Sequence, residues 1–109
     1  NVDAAITLSE LLKALGHEPL VAHDAPTALE LAREEAPQLA LVDLGLPLLD
    51  GYELIARLRN LPGLHSIPAV AVTGYGQQSD RDRSQAAGFD RHVVKPVGLD
   101  DLRTLLASL

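Results

Sequence analysis

The sequence predicts an α/β protein, a parallel sheet with helices on both faces. Three observations carry this. Apolar runs alternate with amphipathic segments along the chain. The runs Leu39-Ala40-Leu41-Val42 and Ala69-Val70-Ala71-Val72 are continuously apolar rather than alternating, as strands covered on both faces are. Gly and Pro punctuate the joins, and no linker, repeat or low-complexity stretch interrupts the series. Strict alternation of this kind implies crossover connections between parallel strands.

The elements follow in order. Residues 3–15 form a helix, because Ala5, Leu8, Leu12 and Leu15 share one face of a 3.6-residue period. Asn1 or Asp3 can cap its start, and Gly16 suits its stop. Leu20 to His23 reads as a short strand. Asp24 caps a second helix with Pro26 in its first turn and Ala28, Leu29, Leu31 and Ala32 as apolar members; Pro37 ends the connection. The run Leu39 to Val42 is a strand closed by Asp43, and a Gly/Pro loop spans Leu44 to Asp50. A third helix over 51–59 carries Leu54, Ile55 and Leu58, and Pro62, Gly63 and Pro68 mark the next loop. Ala69 to Val72 is a strand closed by Thr73. Gly74 and Gly76 lead into a polar helix over 79–87, stopped by Gly88. His92-Val93-Val94 is a last strand closed by Lys95-Pro96, and Leu99, Leu102, Leu105 and Leu106 mark the final helix.

Composition narrows the function classes. At 109 residues the chain is one domain. Apolar residues at 47% and charged residues at 22% suit a globular fold and not a disordered one. Aromatics are limited to Tyr52, Tyr75 and Phe89, so aliphatic side chains build the core. A net charge of −6 argues against a nucleic-acid-binding surface. The absence of cysteine excludes disulfides and thiolate chemistry and favours a cytosolic setting. No apolar run approaches the ~18–20 residues of a membrane span, so no membrane contact by this domain is expected.

In open parallel sheets the site lies outside the carboxyl ends of the strands. That rule joins Asp43, Thr73 and Lys95, each of which directly follows an apolar strand, into one constellation. A carboxylate, a hydroxyl and an ammonium at one edge point to phosphate chemistry. The carboxylate can act as nucleophile toward a phosphoryl group, and the lysine and hydroxyl can neutralise its oxygens. Backbone N–H groups near Gly45 and Gly74 can add donors, since glycine permits close approach. Each residue also has a plainer role. An Asp there forms turns or caps helices, a Thr is an ordinary strand residue, and a Lys is a solvated charge.

The stretch Leu41-Val42-Asp43-Leu44-Gly45-Leu46-Pro47-Leu48-Leu49-Asp50-Gly51-Tyr52-Glu53 resembles the phosphoacceptor segment of two-component response-regulator receiver domains. Ala69 to Gly74 is similar to their hydroxyl strand, and Gly88-Phe89-Asp90 and Val93-Val94-Lys95-Pro96 to the approach to their lysine. The similarity runs in order over the entire chain. It implies a doubly wound, flavodoxin-like five-stranded sheet of order 2-1-3-4-5 flanked by five helices. It implies that Asp43 accepts a phosphoryl group from a phosphohistidine of a sensor histidine kinase or phosphotransfer protein. Thr73 and Lys95 then contact the phosphoryl oxygens, with Gly45 and Gly74 contributing backbone contacts. Mg2+ binds Asp43 and the Gly45 carbonyl. The domain is a phosphoacceptor rather than an enzyme acting on an external metabolite. Thr73 and His92 are the switch positions; His92 departs from the commoner Tyr or Phe, which fits a phosphorelay or hybrid histidine kinase receiver. The Lys95-Pro96 bond resembles one that is usually cis. Leu11, with Ala4 and Thr7, falls in the neighbourhood that meets kinase helices in such domains, though it equally reads as core face.

Receivers open with a strand that ends in an acidic pair, part of the magnesium site. Asn1 matches the position after that pair. The expectation is therefore that residues 1–109 are a receiver without its first strand, with strand and acidic pair supplied upstream of Asn1. Asp3 falls in the first helical turn and reads as a helix-start acid. Competing classes fit less well. A haloacid-dehalogenase-type phosphohydrolase needs a second Asp where Gly45 stands. A flavodoxin-like nucleotide or flavin binder needs a Gly-rich phosphate loop that no strand here precedes. The four histidines show no i,i+4 pair, which argues against metal ligation. Tyr75, two residues past Thr73, borders the site. The remaining alternative is a pseudo-receiver that binds partners without phosphorylation.

Overall fold

The computed structural model describes residues 2–45, 50–74 and 78–109. Helices α1 (Val2–Ala14) and α2 (Ala25–Glu35) lead into strand β1 (Ala40–Asp43), then α3 (Gly51–Leu58), β2 (Ala69–Thr73), α4 (Gln78–Ala87), β3 (Arg91–Val94) and α5 (Leu99–Ala107). The three strands form one parallel sheet of order β1-β2-β3. Every residue of central β2 is buried, which is why its sequence carries no alternation. Val70, Val72, Ile55 and Leu102 are fully buried, and Phe89 joins the core.

Local chemistry sets the boundaries. Asp24 caps α2 by accepting a hydrogen bond from Thr27 N–H at 2.8 Å, with Pro26 in the first turn. Asp50 caps α3 through Tyr52 N–H and Glu53 N–H at 3.0 and 3.2 Å. Gly51 has no room for a side chain, since a Cβ there would come within 2.5 Å of Leu44. The Lys95–Pro96 peptide is cis.

One element differs from expectation. Leu20 to His23 is not a strand, and Leu20 and Val21 stand about half exposed, at 51% and 41%. The segment has the right composition, but among the described residues no strand lies beside it to complete a ladder. An isolated strand leaves its backbone groups unpaired, so apolar composition alone does not hold it in β structure. The remaining order β1-β2-β3 is the 3-4-5 part of the expected sheet, and the flavodoxin-like fold class stands. Asn1, Pro47, Tyr75 and Gly76 lie outside the described residues.

Candidate functional site

The register of the sheet brings the three strand-closing residues together. Asp43 is the last residue of β1 and aligns with Val72; Thr73 closes β2 and aligns with Val94, next to Lys95. Two backbone bonds lock this edge. Leu44 N–H donates to the Val72 carbonyl, and Lys95 N–H donates to the Thr73 carbonyl, both at 2.9 Å. The chain therefore leaves all three strands at one level.

Among the described residues, the two oxygens of Asp43 have partners of different kinds. Oδ1 accepts the Gly45 N–H at 2.8 Å, and Oδ2 meets Lys95 Nζ at 2.6 Å. The Asp43 side chain is only 12% exposed, whereas that of Lys95 keeps 34%. The carboxylate thus sits in a recess closed by a mobile-stemmed cation. Gly45 is required by this closeness: a Cβ there would lie 3.3 Å from Asp43 Oδ1 and 3.5 Å from Lys95 Nζ. Thr73 is a buried polar residue, 3% exposed, at the same edge. Gly74 follows it and is half-buried.

His92 stands apart from this cluster. It lies inside β3, aligned with Ala71, and lines a shallow pocket with Asp100, Asp101 and Thr104 of α5. Leu11 is half-buried on α1. No group of three or more metal-ligating His, Cys, Asp or Glu side chains occurs among the described residues. Among the described residues, the oxygen groups at this point are the Asp43 carboxylate and the peptide of Gly45, whose N–H bonds it. That is the kind of partial shell Mg2+ accepts, since it keeps several waters and takes one or two carboxylates.

Sequence reasoning missed one charged cluster, at the other end of the strands. The guanidinium of Arg59, the C-cap of α3, donates to the carbonyls of Ile67 (3.0 Å) and Gly88 and to Asp90 Oδ2 (3.1 Å). Asp90 Oδ2 also accepts the Ala69 N–H at 2.9 Å. The signal was Asp90 directly before β3, read only as part of the approach to Lys95.

Comparison with known proteins gives a consistent result. Residues 1–107 match the family model described as the response regulator receiver domain. The polar-differentiation response regulator DivK of Brucella anthropi is 33% identical over 90 residues, covering 83% of this chain and 73% of DivK. The receiver domain of NtrX from Brucella abortus superposes with a TM-score of 0.90 at 25% identity, over 99% of this chain and 90% of that one. The match covers 24% of a longer NtrX chain. The receiver domain of the sensor histidine kinase PA1611 from Pseudomonas aeruginosa, solved with a magnesium ion in its active-site cleft, gives a TM-score of 0.87 at 26% identity, over 99% and 88%.

Proposed function

The chain belongs to the response-regulator receiver domain family, and from that premise we propose that it is a two-component signalling receiver that accepts a phosphoryl group on Asp43. The observation that carries this reading is the recessed carboxylate of Asp43 held between the Gly45 N–H and Lys95 Nζ at the carboxyl edge of the sheet. In the reaction an oxygen of Asp43 attacks the phosphorus of a phosphohistidine on a sensor kinase or phosphotransfer protein. The O–P bond forms as the P–N bond breaks, and the electron pair returns to the imidazole, which takes a proton from water. Lys95 exchanges its carboxylate partner for a phosphoryl oxygen, so its charge remains paired throughout. The Thr73 hydroxyl and the Gly45 and Gly74 peptides stand at the same edge as further donors. Asp43 and the Gly45 carbonyl are the groups that would hold Mg2+, which when bound supplies charge neutralisation to the transferring phosphoryl group. Further carboxylates for that ion come, in this reading, from an acidic pair upstream of Asn1.

This role turns over no external metabolite; the domain assists its own phosphorylation and controls an attached or separate output through Thr73 and His92. A net charge of −6 makes direct nucleic-acid binding by this domain unfavourable. Among the described residues no helix is long and apolar enough to cross a membrane, and the reading places the domain in the cytoplasm beside its kinase.

The test is chemical. The domain with its natural flanking sequence is incubated with Mg2+ and acetyl phosphate. A hydroxylamine-labile phosphate is expected, absent from Asp43→Asn and lost when the metal is chelated. If the wild type takes up no phosphate, the phosphoacceptor reading fails and a phosphorylation-independent interaction module replaces it.

A further inference from the structure

Helix α4 has almost nothing apolar to bury. Its ten residues, Gln78 to Ala87, include no Leu, Ile, Val or aromatic side chain, and Ala86 and Ala87 are its only apolar members. Asp82, Arg83 and Gln85 to Ala87 are all exposed. A helix that is polar all round gains little from burial and needs another tie to the body of the protein. Arg83 supplies one. Its guanidinium carbon lies 4.2 Å from the centroid of the Tyr52 ring, on α3. The ring quadrupole attracts a cation placed over its face. The ring is itself anchored. Phe89, 4% exposed, meets it edge-on, with centroids 6.4 Å apart and planes at 78°. Two of the three aromatic residues of the chain form this seat.

The two helices joined by this contact follow the two strands that end in Asp43 and Thr73. The start of α3 is keyed to Asp43. A Cβ on Gly51 would come within 2.5 Å of Leu44 and 2.9 Å of Val42, the residues on either side of Asp43. Tyr52 N–H, next in the chain, is held by Asp50 Oδ1 at 3.0 Å. On the other strand, the ladder fixes the backbone as far as Thr73, whose carbonyl accepts the Lys95 N–H. Gly74 lies beyond the strand, and the next regular element is α4, from Gln78. The place of α4 therefore sets where Gly74 is held. Arg59 bonds the Gly88 carbonyl, but that is the end of α4 far from Gly74.

We infer that Arg83 is a positioning residue: stacked on Tyr52, it clasps α4 to α3 and holds the Gly74 peptide at the Asp43 edge of the sheet. Its bearing on phosphorylation rests on the phosphoacceptor reading; the clasp itself does not. A contact passes on no more free energy than it is worth. An exposed cation–π pair is worth a factor of about 2 to 5 in an equilibrium, and that sets the size of effect expected.

Arg83→Ala is made in the domain with its natural flanking sequence, in three backgrounds. These are wild type, Tyr52→Phe, which keeps the ring face, and Tyr52→Leu, which removes it. Alanine is the better helix former, so propensity does not weaken α4 in the variant. Amide exchange is read at Gly74 and along α4. The rate of phosphorylation from acetyl phosphate with Mg2+ is read on the same preparations. In the wild-type and Tyr52→Phe backgrounds Arg83→Ala speeds exchange at Gly74 and in α4 by about 2- to 5-fold and slows phosphorylation by the same factor. In the Tyr52→Leu background it adds nothing, whatever Tyr52→Leu costs by itself. Three results overturn the inference. Gly74 exchange ignores Arg83→Ala; or Arg83→Ala costs as much without the ring as with it; or α4 loosens while phosphorylation keeps its wild-type rate, which makes the clasp merely structural. A wild-type domain that takes up no phosphate ends the phosphoacceptor reading instead, and the clasp is then decided by Gly74 exchange alone.

Discussion

The two ends of the strands each carry an ion pair, and the pairs are built in opposite ways. At the carboxyl end Lys95 meets Asp43 at 2.6 Å, and each carboxylate oxygen has a single partner among the described residues. At the amino end Arg59 meets Asp90 at 3.1 Å, and the same guanidinium also holds two backbone carbonyls. A lysine is a point charge on a flexible stem, and it can trade one oxygen for another. An arginine fork bound to three acceptors cannot move without breaking all of them. The amino end ties the α3 C-terminus, the β2 start and the α4–β3 turn into one rigid unit, while the carboxyl end keeps its charges exchangeable. A Cβ on Gly88 would lie 2.6 Å from Arg59 Nη1, and Gly88 has φ +106, so the turn is shaped around the fork.

Substitutions at the two ends therefore have different readouts. The largest effect is at the carboxyl end. Lys95→Ala lowers the rate of phosphorylation from acetyl phosphate by about 100-fold, the usual scale for losing one group that stabilises transferring charge. Its melting midpoint moves far less than that of an amino-end variant. Rapid-mixing phosphorylation and thermal melts on the same preparation check both. A Lys95→Ala protein that phosphorylates normally would show that the Asp43 contact is only structural.

Next in size is Arg59→Ala. Arg59 is 24% and Asp90 45% exposed, so solvent replaces part of what is lost. Even so, three acceptors lose their donor, and about 2 kcal/mol is expected, or about a 10 °C lower melting midpoint for a domain of this size. Arg59→Lys does not restore it, because one ammonium cannot span the fork. Phosphorylation measured well below the midpoint stays near wild type. A phosphorylation loss as deep as that of Lys95→Ala would break the comparison and make the amino end part of the site.

The contrast also separates what was legible in the sequence from what was not. Asp43, Thr73 and Lys95 were legible because each terminates an apolar run, and parallel topology alone puts such ends at one edge. Gly45 reads as permissive in the sequence, but its N–H bond to Asp43 Oδ1 arises only from the folded turn. Arg59 carried no local signal: its acceptors are backbone carbonyls 8 and 29 residues away and a carboxylate 31 away. Leu20 to His23 failed for a related reason. Its composition is that of a strand, but strand formation needs a neighbour, and pairing is not a property of four residues in isolation.

Asp24 provides the finest test, because it is a third carboxylate that belongs to neither end pair. It closes the Leu20–His23 segment and spends its charge on the start of α2, accepting the Thr27 N–H at 2.8 Å. That backbone bond, aided by the Thr27 hydroxyl, holds its pKa below the ordinary value of 3.8. A carboxylate whose folded pKa is depressed contributes stability above its unfolded pKa and loses it as pH falls through the folded value. The stability advantage of wild type over Asp24→Ala is therefore constant near neutrality. It shrinks as pH drops below about 3.8. Melts of the two proteins across that range measure it, and the effect is the smallest of the three because the group is fully exposed. A gap that stayed constant through the acid range would mean that the helix start gains nothing from the ionised form. The exposed Asp24 cap would then have no charge-dependent role in this fold.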